Sequence, residues 1–253
     1  MGAVSSRVIA GTGTASSAWR AAPGWARLPE VGVDDLVPPG HRLVVMAPHP
    51  DDEVLAAGGL MRTAALAGRQ VLVLALTDGG ASHPGSTRWP ARLLSAQRRA
   101  ESATAMRALG LPAGVLHRLG LPDGRLAACE AELRMRLPEL IGPADVLVAP
   151  WRWDGHPDHE AAGRVCAAVA EAVGIRWLEA PIWGWHWCHP DDPAFPWSRA
   201  VALALTPATQ AGKQRAVQLF VSQLQPDPST GADPILPGWA LDRLVHEREV
   251  FLR

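Results

Sequence analysis

Short apolar runs that alternate with helical stretches restrict the fold of this chain more than any other feature of its sequence. The runs at Arg42–Ala47, Gln70–Thr77 and Ala144–Ala149 are nearly free of polar residues, as in strands buried on both faces of a parallel sheet. Helical patterns follow the first and the third run, at Glu53–Gly68 and Glu160–Val173. This alternation predicts an α/β fold with a Rossmann-like, mostly parallel sheet and helices on both faces.

The elements beyond these runs are predicted from weaker patterns. We expect a further strand near Val115–Arg118 and later strands at Arg176–Trp187 and Ala200–Thr206. A short helix is expected over Trp239–Leu252. Within the strand predicted to start at Arg176, three aromatic residues alternate and would face one side together: Trp183, Trp185 and Trp187.

Length and composition favour one sizeable domain. The chain has 253 residues, of which 48% are hydrophobic, so a large core is available. Residues 1–38 are rich in Gly, Ala, Ser and Pro and show no clean period, and we expect an N-terminal arm that is partly disordered or packed on the surface. Residues 39–253 are then expected to form a single α/β domain.

Charge, cysteines and hydropathy argue against several classes of function. The net charge of −1 gives no field that would attract nucleic acid or an acidic membrane surface. Three widely spaced cysteines without a C-x-x-C pair predict a reducing, cytoplasmic location, and the lack of 18 consecutive apolar residues predicts no membrane span. No G-x-G-x-x-G follows the first predicted strand, which argues against a nucleotide-binding Rossmann protein.

Two clusters of histidine and aspartate follow predicted strands. H-P-D-D-E comes after Arg42–Ala47, and H-P-D-H comes after Ala144–Ala149. Parallel strands end at one edge of the sheet, where ligands bind, so we expect the active site at the carboxyl ends of the strands. The residues gathered there would be His49, Asp51, Asp52, His156, Asp158 and His159.

These residue types match the needs of metal-assisted hydrolysis. Two histidines and a carboxylate around an open position form a catalytic zinc site, whereas a structural zinc takes four protein ligands, and no cysteine is near. A separate carboxylate can take a proton from a water acidified by the metal and pass it to the leaving group. A protonated imidazole beside the metal can stabilise an oxyanion, and an adjacent aspartate would raise its pKa and orient its ring.

Taken together, the motifs resemble those of the PIG-L/LmbE zinc N-deacetylases. The resemblance rests on A-P-H-P-D-D-E at 47–53, T-D-G at 77–79, R-R-A-E at 98–101 ahead of A-L-G at 108–110, and H-P-D-H at 156–159. It covers roughly residues 40–175. Two departures are the proline at position 48, where the family usually has alanine, and the absence of tyrosine, which some members place beside the oxyanion.

The resemblance implies a role for each residue of the two clusters. The metal ligands would be His49, Asp52 and His159. Asp51 would be the general base. His156 would be the acid that stabilises the oxyanion, with Asp158 orienting its ring.

Four further residues are candidates for substrate binding. The polar loop after T-D-G supplies a sugar-binding arginine in many family members, for which Arg88 is the candidate here, and Asp78 would bind a sugar hydroxyl. Trp153, in the tryptophan-rich stretch near H-P-D-H, and His186, in G-W-H-W, complete the predicted pocket. On the helix that carries R-R-A-E, we expect a solvated arginine face formed by Arg98, Arg99 and Arg107, with Glu101 paired to an arginine.

We therefore expect a zinc-dependent hydrolase that removes an N-acyl group, N-acetyl foremost, from a small-molecule amino-sugar conjugate. The His₂Asp ligand set with open positions also suits iron(II). One alternative is a metal-dependent amidase or esterase acting on a non-sugar natural-product intermediate, and another is a non-catalytic sugar-binding member of the fold. The sequence predicts no nucleic-acid partner and leaves open whether the chain forms a homo-oligomer.

Overall fold

Eight strands form one sheet within residues 7–253, the part of the chain described by this computed structural model. They are β1 (Glu30–Val31), β2 (Arg42–Ala47), β3 (Val71–Thr77), β4 (Leu116–Leu121), β5 (Asp145–Pro150), β6 (Arg176–Ala180), β7 (Ala200–Ala204) and β8 (Arg248–Leu252). Their order across the sheet is β1-β7-β8-β6-β5-β2-β3-β4. All pairings are parallel except those of β8 with β6 and β7, so the predicted mostly parallel sheet is confirmed.

Helices cover both faces of this sheet, as the sequence predicts. The helices are α1 (Ser16–Ala21), α2 (Pro23–Ala26), α3 (Val33–Leu36), α4 (Asp52–Leu66), α5 (Ala91–Ala108), α6 (Glu130–Leu140), α7 (Pro157–Val173), α8 (Gly184–Trp187), α9 (Pro207–Val217), α10 (Val221–Leu224) and α11 (Gly238–Leu241). Side chains of β2 alternate between two cores: Val45 packs with α4, α5 and α9, and Val44 packs with α6 and α7. Among the described residues, no helix has the length and apolarity needed to cross a bilayer.

Two elements of the C-terminal half differ from the sequence prediction. The predicted strand Arg176–Trp187 ends at Ala180. Trp183 lies just before α8, and Trp185 and Trp187 lie in it, so these three residues do not alternate along a strand. The predicted helix Trp239–Leu252 is wrong beyond Leu241, because the chain returns as β8 to fill the gap between β6 and β7. An apolar run that is buried by long-range pairing has the same local pattern as a buried helix.

The described part of the N-terminal arm is built into the core. Trp19, Trp25 and Leu36 are buried in the same hydrophobic cluster as β2, and β1 extends the sheet by pairing with β7. Burial of these large side chains anchors this part of the arm to the core. Residues 1–6 of the predicted arm lie outside the described residues, and the boundary at residue 38 stays a prediction.

A buried ion pair holds the helix that leaves the first histidine–aspartate cluster. Helix α4 is kinked at Ala57, and the carboxylate of Glu249 on β8 accepts hydrogen bonds from the amides of Gly59 and Leu60 beyond the kink. Lys213 of α9 donates to Glu249 Oε1 at 2.7 Å, and both side chains are almost fully buried. The pair therefore ties α9 and β8 to α4.

Replacing Lys213 with methionine is expected to lower the free energy of unfolding by about 3–5 kcal/mol, because it leaves a buried carboxylate without its cation. Urea unfolding followed by circular dichroism measures the loss. The matched control is Arg134→Met, which removes the exposed i,i+4 pair with Glu130 and should cost less than about 1 kcal/mol. Equal losses in the two variants would contradict a structural role for the buried pair.

Candidate active site

A cavity of about 190 Å³ lies at the carboxyl ends of β2 and β5, the edge of the sheet at which the sequence predicts the site. Helices α4 and α7 begin at this edge, immediately after the two strands. Four of the predicted residues line the cavity: His49, Asp51, Asp52 and His156. The other two, His159 and Asp158, are 0% and 1% exposed and pack directly against these residues. The structure thus brings all six residues of the two motifs together.

The carboxylate of Asp52 lies between two imidazoles. Its Oδ2 atom is 3.1 Å from His49 Nδ1 and 3.2 Å from His159 Nε2. Ligand atoms of a tetrahedral metal site with bonds of about 2.0–2.2 Å lie about 3.3–3.6 Å apart. Both distances are close to that spacing, so the carboxylate of Asp52 lies where a ligand shared with either imidazole would lie around a zinc-like ion.

The surroundings of His159 also fit a cation. Its Nε2 atom is buried and makes no hydrogen bond to any of the described residues. Burial lowers the pKa of this imidazole, but Asp52 and Asp154 outweigh burial and raise the pKa to about 9. A buried nitrogen without a hydrogen-bond partner, in a field that favours positive charge, has the properties expected of a metal ligand.

Asp154 was not among the predicted site residues. Its carboxylate is fully buried, and Oδ2 lies 2.8 Å from His159 Nδ1. It also accepts hydrogen bonds from the amides of Ile182, Trp183 and Gly184, which bends the chain after β6. A carboxylate behind a ligating histidine orients the ring and fixes its tautomer. The only signal in the sequence was its position two residues before H-P-D-H.

The backbone of Asp51 is strained. Its φ of 137° is the only positive value at a non-glycine position in residues 7–253, and it occurs at the turn from β2 into α4. Such angles are rare for side-chain-bearing residues and cluster at functional sites. The turn separates two adjacent carboxylates: Asp52 points to the imidazoles, whereas Asp51 points to Arg98 and lines the cavity.

Arg98 holds Asp51 in place, contrary to its expected position on a solvated helix face. It is 3% exposed, and Nη2 donates to Asp51 Oδ2 at 3.1 Å and to the carbonyl of Pro50 at 2.8 Å. Nη1 of Arg98 donates to the carbonyl of Gly79. Gly79 has a φ of 66°, and a Cβ added there would lie 2.3 Å from Arg98 Nη1. The glycine of T-D-G is therefore needed for the close approach of this arginine.

The protonation of Asp51 is set by opposing effects. Burial raises the pKa of this carboxyl group most strongly, the charge of Arg98 lowers it, and the charge of Asp52 raises it again, which leaves the pKa at about 7. A carboxyl group with a pKa near neutrality can both accept and return a proton at physiological pH.

The surroundings of His156 favour its neutral form, whereas the resemblance implies a protonated acid. Burial and the charges of His159 and His49 lower its pKa to about 3. Its Nδ1 atom accepts a hydrogen bond from the amide of Asp158, as the N-cap of α7. The proton of the neutral ring therefore lies on Nε2.

The resemblance implies that Asp158 orients the ring of His156, but the carboxylate of Asp158 contacts other groups. Its Oδ2 atom lies 3.1 Å from His49 Nε2, and the carboxylate accepts hydrogen bonds from the amides of Gly124 and Leu126. Asp123, which was also not predicted, lines the cavity and lies 3.3 Å from the same nitrogen of His49. Asp158 and Asp123 therefore act on the ring of His49.

The predicted sugar contact Asp78 does not line the cavity. Its carboxylate is engaged by Arg99 at 2.7 Å and by Arg118 at 3.4 Å. On the same helix as Arg99, Glu101 accepts hydrogen bonds from the amide and hydroxyl of Ser222 and pairs with no arginine among the described residues. These residues hold α5 and α10 in the fold.

The other three predicted substrate contacts also lie outside the cavity lining. Arg88 is exposed and packs over the ring of Trp89. Trp153 is 47% exposed and stacks with Arg7. His186 is buried elsewhere, with Nε2 3.0 Å from the carbonyl of Ala10, because the N-terminal segment covers it. Trp183, from the same tryptophan-rich stretch, does line the cavity.

Comparisons with known proteins give a family match for half of the chain. Residues 44–170 match the family model described as "PIG-L: GlcNAc-PI de-N-acetylase". The 1D-myo-inositol 2-acetamido-2-deoxy-alpha-D-glucopyranoside deacetylase of Rhodococcus opacus (strain B4) is 30% identical over 164 residues. The aligned stretch is 53% of this chain and 55% of that protein, so the chain spans about half the length of the curated relative it matches.

Solved structures share the fold. The conserved protein TT1542 from Thermus thermophilus superposes with a TM-score of 0.60 and 26% identity, covering 84% of this chain and 94% of that one. The N,N'-diacetylchitobiose deacetylase from Pyrococcus horikoshii superposes with a TM-score of 0.59 over 76% of this chain and 74% of its own, and at 19% identity it shows the fold alone. Half of the present chain matches the family model, and that half carries both histidine–aspartate motifs, so this protein is a member of the PIG-L family.

Proposed function

We propose that this protein hydrolyses the N-acyl amide of an amino-sugar conjugate. One observation carries the proposal: a strained turn presents Asp51 to the cavity beside Asp52, while Asp52 faces two imidazoles. A protein that only binds metal and sugar would need the carboxylate of Asp52 but not that of Asp51. The family match and the Rhodococcus deacetylase support the same chemistry.

The residues that would hold the metal are His49, Asp52 and His159. A divalent cation bound there supplies Lewis-acid chemistry, polarising the amide carbonyl and acidifying water. Zinc fits the spacing and type of these donors, and iron(II) accepts the same set. Asp154 would hold the ring of His159, and Asp158 and Asp123 would hold the ring of His49.

Asp51 is the proposed general base. It removes a proton from the attacking water, and the new C–O bond converts the amide carbonyl into a tetrahedral oxyanion. Asp51 then returns the proton to the amide nitrogen as the C–N bond breaks, which releases a carboxylic acid and a primary amine. Arg98 keeps the carboxylate aimed into the cavity through this cycle.

His156 is the proposed oxyanion donor. It lines the cavity, and its neutral ring carries the proton on Nε2, so it can donate a hydrogen bond to the oxyanion without first becoming charged. This role differs from that of a protonated acid, and it leaves protonation of the leaving amine to Asp51. It also requires no tyrosine beside the oxyanion, in keeping with a chain that contains none.

A panel of substrates tests this proposal. Zinc-loaded protein is incubated with N-acetylglucosaminyl conjugates, with non-sugar acetamides and with acetate esters, and release of primary amine or alcohol is followed. The proposal predicts that kcat/KM is highest for an N-acetylglucosaminyl conjugate. Preference for a non-sugar amide or an ester would favour the alternative amidase or esterase, and binding of sugars without turnover would favour a sugar-binding protein.

The role proposed for Asp154 predicts an effect on metal affinity. Asp154→Asn should weaken zinc binding by about 10–100-fold, because the amide holds the ring of His159 less firmly and with less negative charge. Competition with a chelating dye measures the dissociation constant. Asp145→Asn, a buried carboxylate at the start of β5 that pairs with Arg42, is the matched control and should leave zinc affinity unchanged. An unchanged affinity in Asp154→Asn would contradict the role.

A further inference from the structure

We propose that the cavity has an apolar wall that accepts an N-acyl chain longer than acetyl, so that the preferred substrate is an N-acylated amino sugar with an alkyl chain of several carbons. This inference rests on the proposed function, since it assigns the two halves of the amide substrate to the two sides of the same cavity.

The apolar wall begins next to the metal ligand His159. Ile182 and Trp183 follow β6 and line the cavity, and Ile182 is 3% exposed. Their amides donate to Asp154 at 2.8 and 2.9 Å, and the same carboxylate lies 2.8 Å from His159 Nδ1. The carboxylate of Asp154 therefore lies between this apolar turn and the catalytic centre. Its hydrogen bonds hold the turn next to His159.

The opposite wall is polar. Ser82 follows β3, Asp123 follows β4, and both line the cavity. Asp123 accepts a hydrogen bond from the amide of Ala81 and lies 3.3 Å from His49 Nε2. In the sheet order β6-β5-β2-β3-β4, the metal-binding turns follow β5 and β2, so the apolar wall lies on one side of the centre and the polar wall on the other.

A trans amide places its acyl carbon chain and its nitrogen substituent on opposite sides of the carbonyl carbon. With the carbonyl at the catalytic centre, one half of the substrate must face the polar wall and the other must face the apolar wall. The sugar, which carries hydroxyl groups, matches Ser82 and Asp123. The acyl chain then faces Ile182 and Trp183.

The amount of apolar surface exceeds what an acetyl group can use. Besides Ile182 and Trp183, the cavity is lined by Leu55 of α4 and by Ile235 and Leu236 of the loop before α11. Five large apolar side chains therefore border one cavity, whereas the acetyl group offers a single methyl. An alkyl chain that displaces water from such a wall gains favourable binding free energy.

The test is a series of N-acetyl, N-propanoyl, N-butanoyl and N-hexanoyl glucosamine with the zinc-loaded protein. We expect kcat/KM to rise up to about fourfold for each methylene that the wall buries. A parallel series keeps N-acetyl and lengthens an alkyl glycoside, and it should show no comparable rise. If kcat/KM is flat or falls along the acyl series while N-acetyl is hydrolysed, the acyl wall is overturned and the deacylase function stands. If the glycoside series rises instead, the wall takes the aglycone and the proposal is overturned.

Variants distinguish the wall from a general hydrophobic effect. Trp183→Ala removes part of the wall at a half-buried position, keeps the backbone bond to Asp154, and should lower the hexanoyl-to-acetyl ratio of kcat/KM several-fold. Trp89→Ala, equally half-buried but outside the cavity lining, should keep the ratio of the unmodified protein. A ratio that is the same in both variants would overturn the wall. If no acyl group is released from any member of the series, the proposed function itself fails, and the acyl wall fails with it.

Discussion

Asp51→Asn is expected to lower kcat by about 10²–10⁴-fold while the protein keeps its metal, because the amide can neither accept the proton of the attacking water nor return it to the leaving amine. The metal ligand Asp52 is the neighbouring residue, but its carboxylate points to His49 and His159 and not to Arg98. The substitution therefore separates chemistry from metal binding. Amine release measures kcat, and elemental analysis of the same sample measures zinc per chain.

The control for this variant is Asp145→Asn. Asp145 is also a buried aspartate paired with an arginine, Arg42, but it lies at the opposite end of β5 from the cavity. It should keep kcat within a fewfold of the unmodified protein. If Asp51→Asn retains turnover with zinc bound, another group is the base, and the assignment of the strained turn to catalysis is wrong.

His159→Ala is expected to remove the metal and the activity together. This side chain is fully buried, its Nε2 atom lies 3.2 Å from Asp52 Oδ2, and that nitrogen has no hydrogen bond to any residue in the described range. Loss of a ligand should weaken zinc binding by more than the roughly 10–100-fold expected for a residue behind a ligand, such as Asp154. Dialysis at a buffered zinc concentration, followed by elemental analysis, measures occupancy.

The matched control is His246→Ala, which removes another buried histidine that lies outside the cavity lining and contacts Ser16. It should retain zinc. Full zinc occupancy in His159→Ala, with the fold intact by circular dichroism, would show that other residues hold the metal, such as the trio of His49, Asp123 and Asp158, whose ligand atoms lie within 4.8 Å of one another.

The sheet edge could be predicted from the sequence because its determinants are local. The apolar run at Arg42–Ala47 is a strand with those bounds, and both histidine–aspartate motifs lie where the strand ends meet. The elements after Ala180 could not be predicted in the same way. The turn there is set by hydrogen bonds to Asp154, nearly thirty residues earlier in the chain, and β8 is a strand because β6 and β7 leave a gap for it.

The partners of the site residues were harder to predict than the residues themselves. Arg98 lies on a helix with charged neighbours, so its local pattern resembles a solvated face, although it is buried against Asp51. Asp158 is adjacent in sequence to His159 and near His156, yet its carboxylate lies against His49 from the other motif. Contacts between motifs depend on how two turns face each other across neighbouring strands, which spacing within one motif does not encode.

Hydrolysis of an N-acetylglucosaminyl conjugate by protein that holds one zinc per chain is the most direct test of the proposed function. Proton NMR follows acetate and the free amino sugar in the same sample. The two products should appear together in a ratio of one to one, and neither should appear when the zinc is removed by a chelator. If a fully zinc-loaded chain leaves the amide intact across such conjugates, the protein is not an amino-sugar deacetylase.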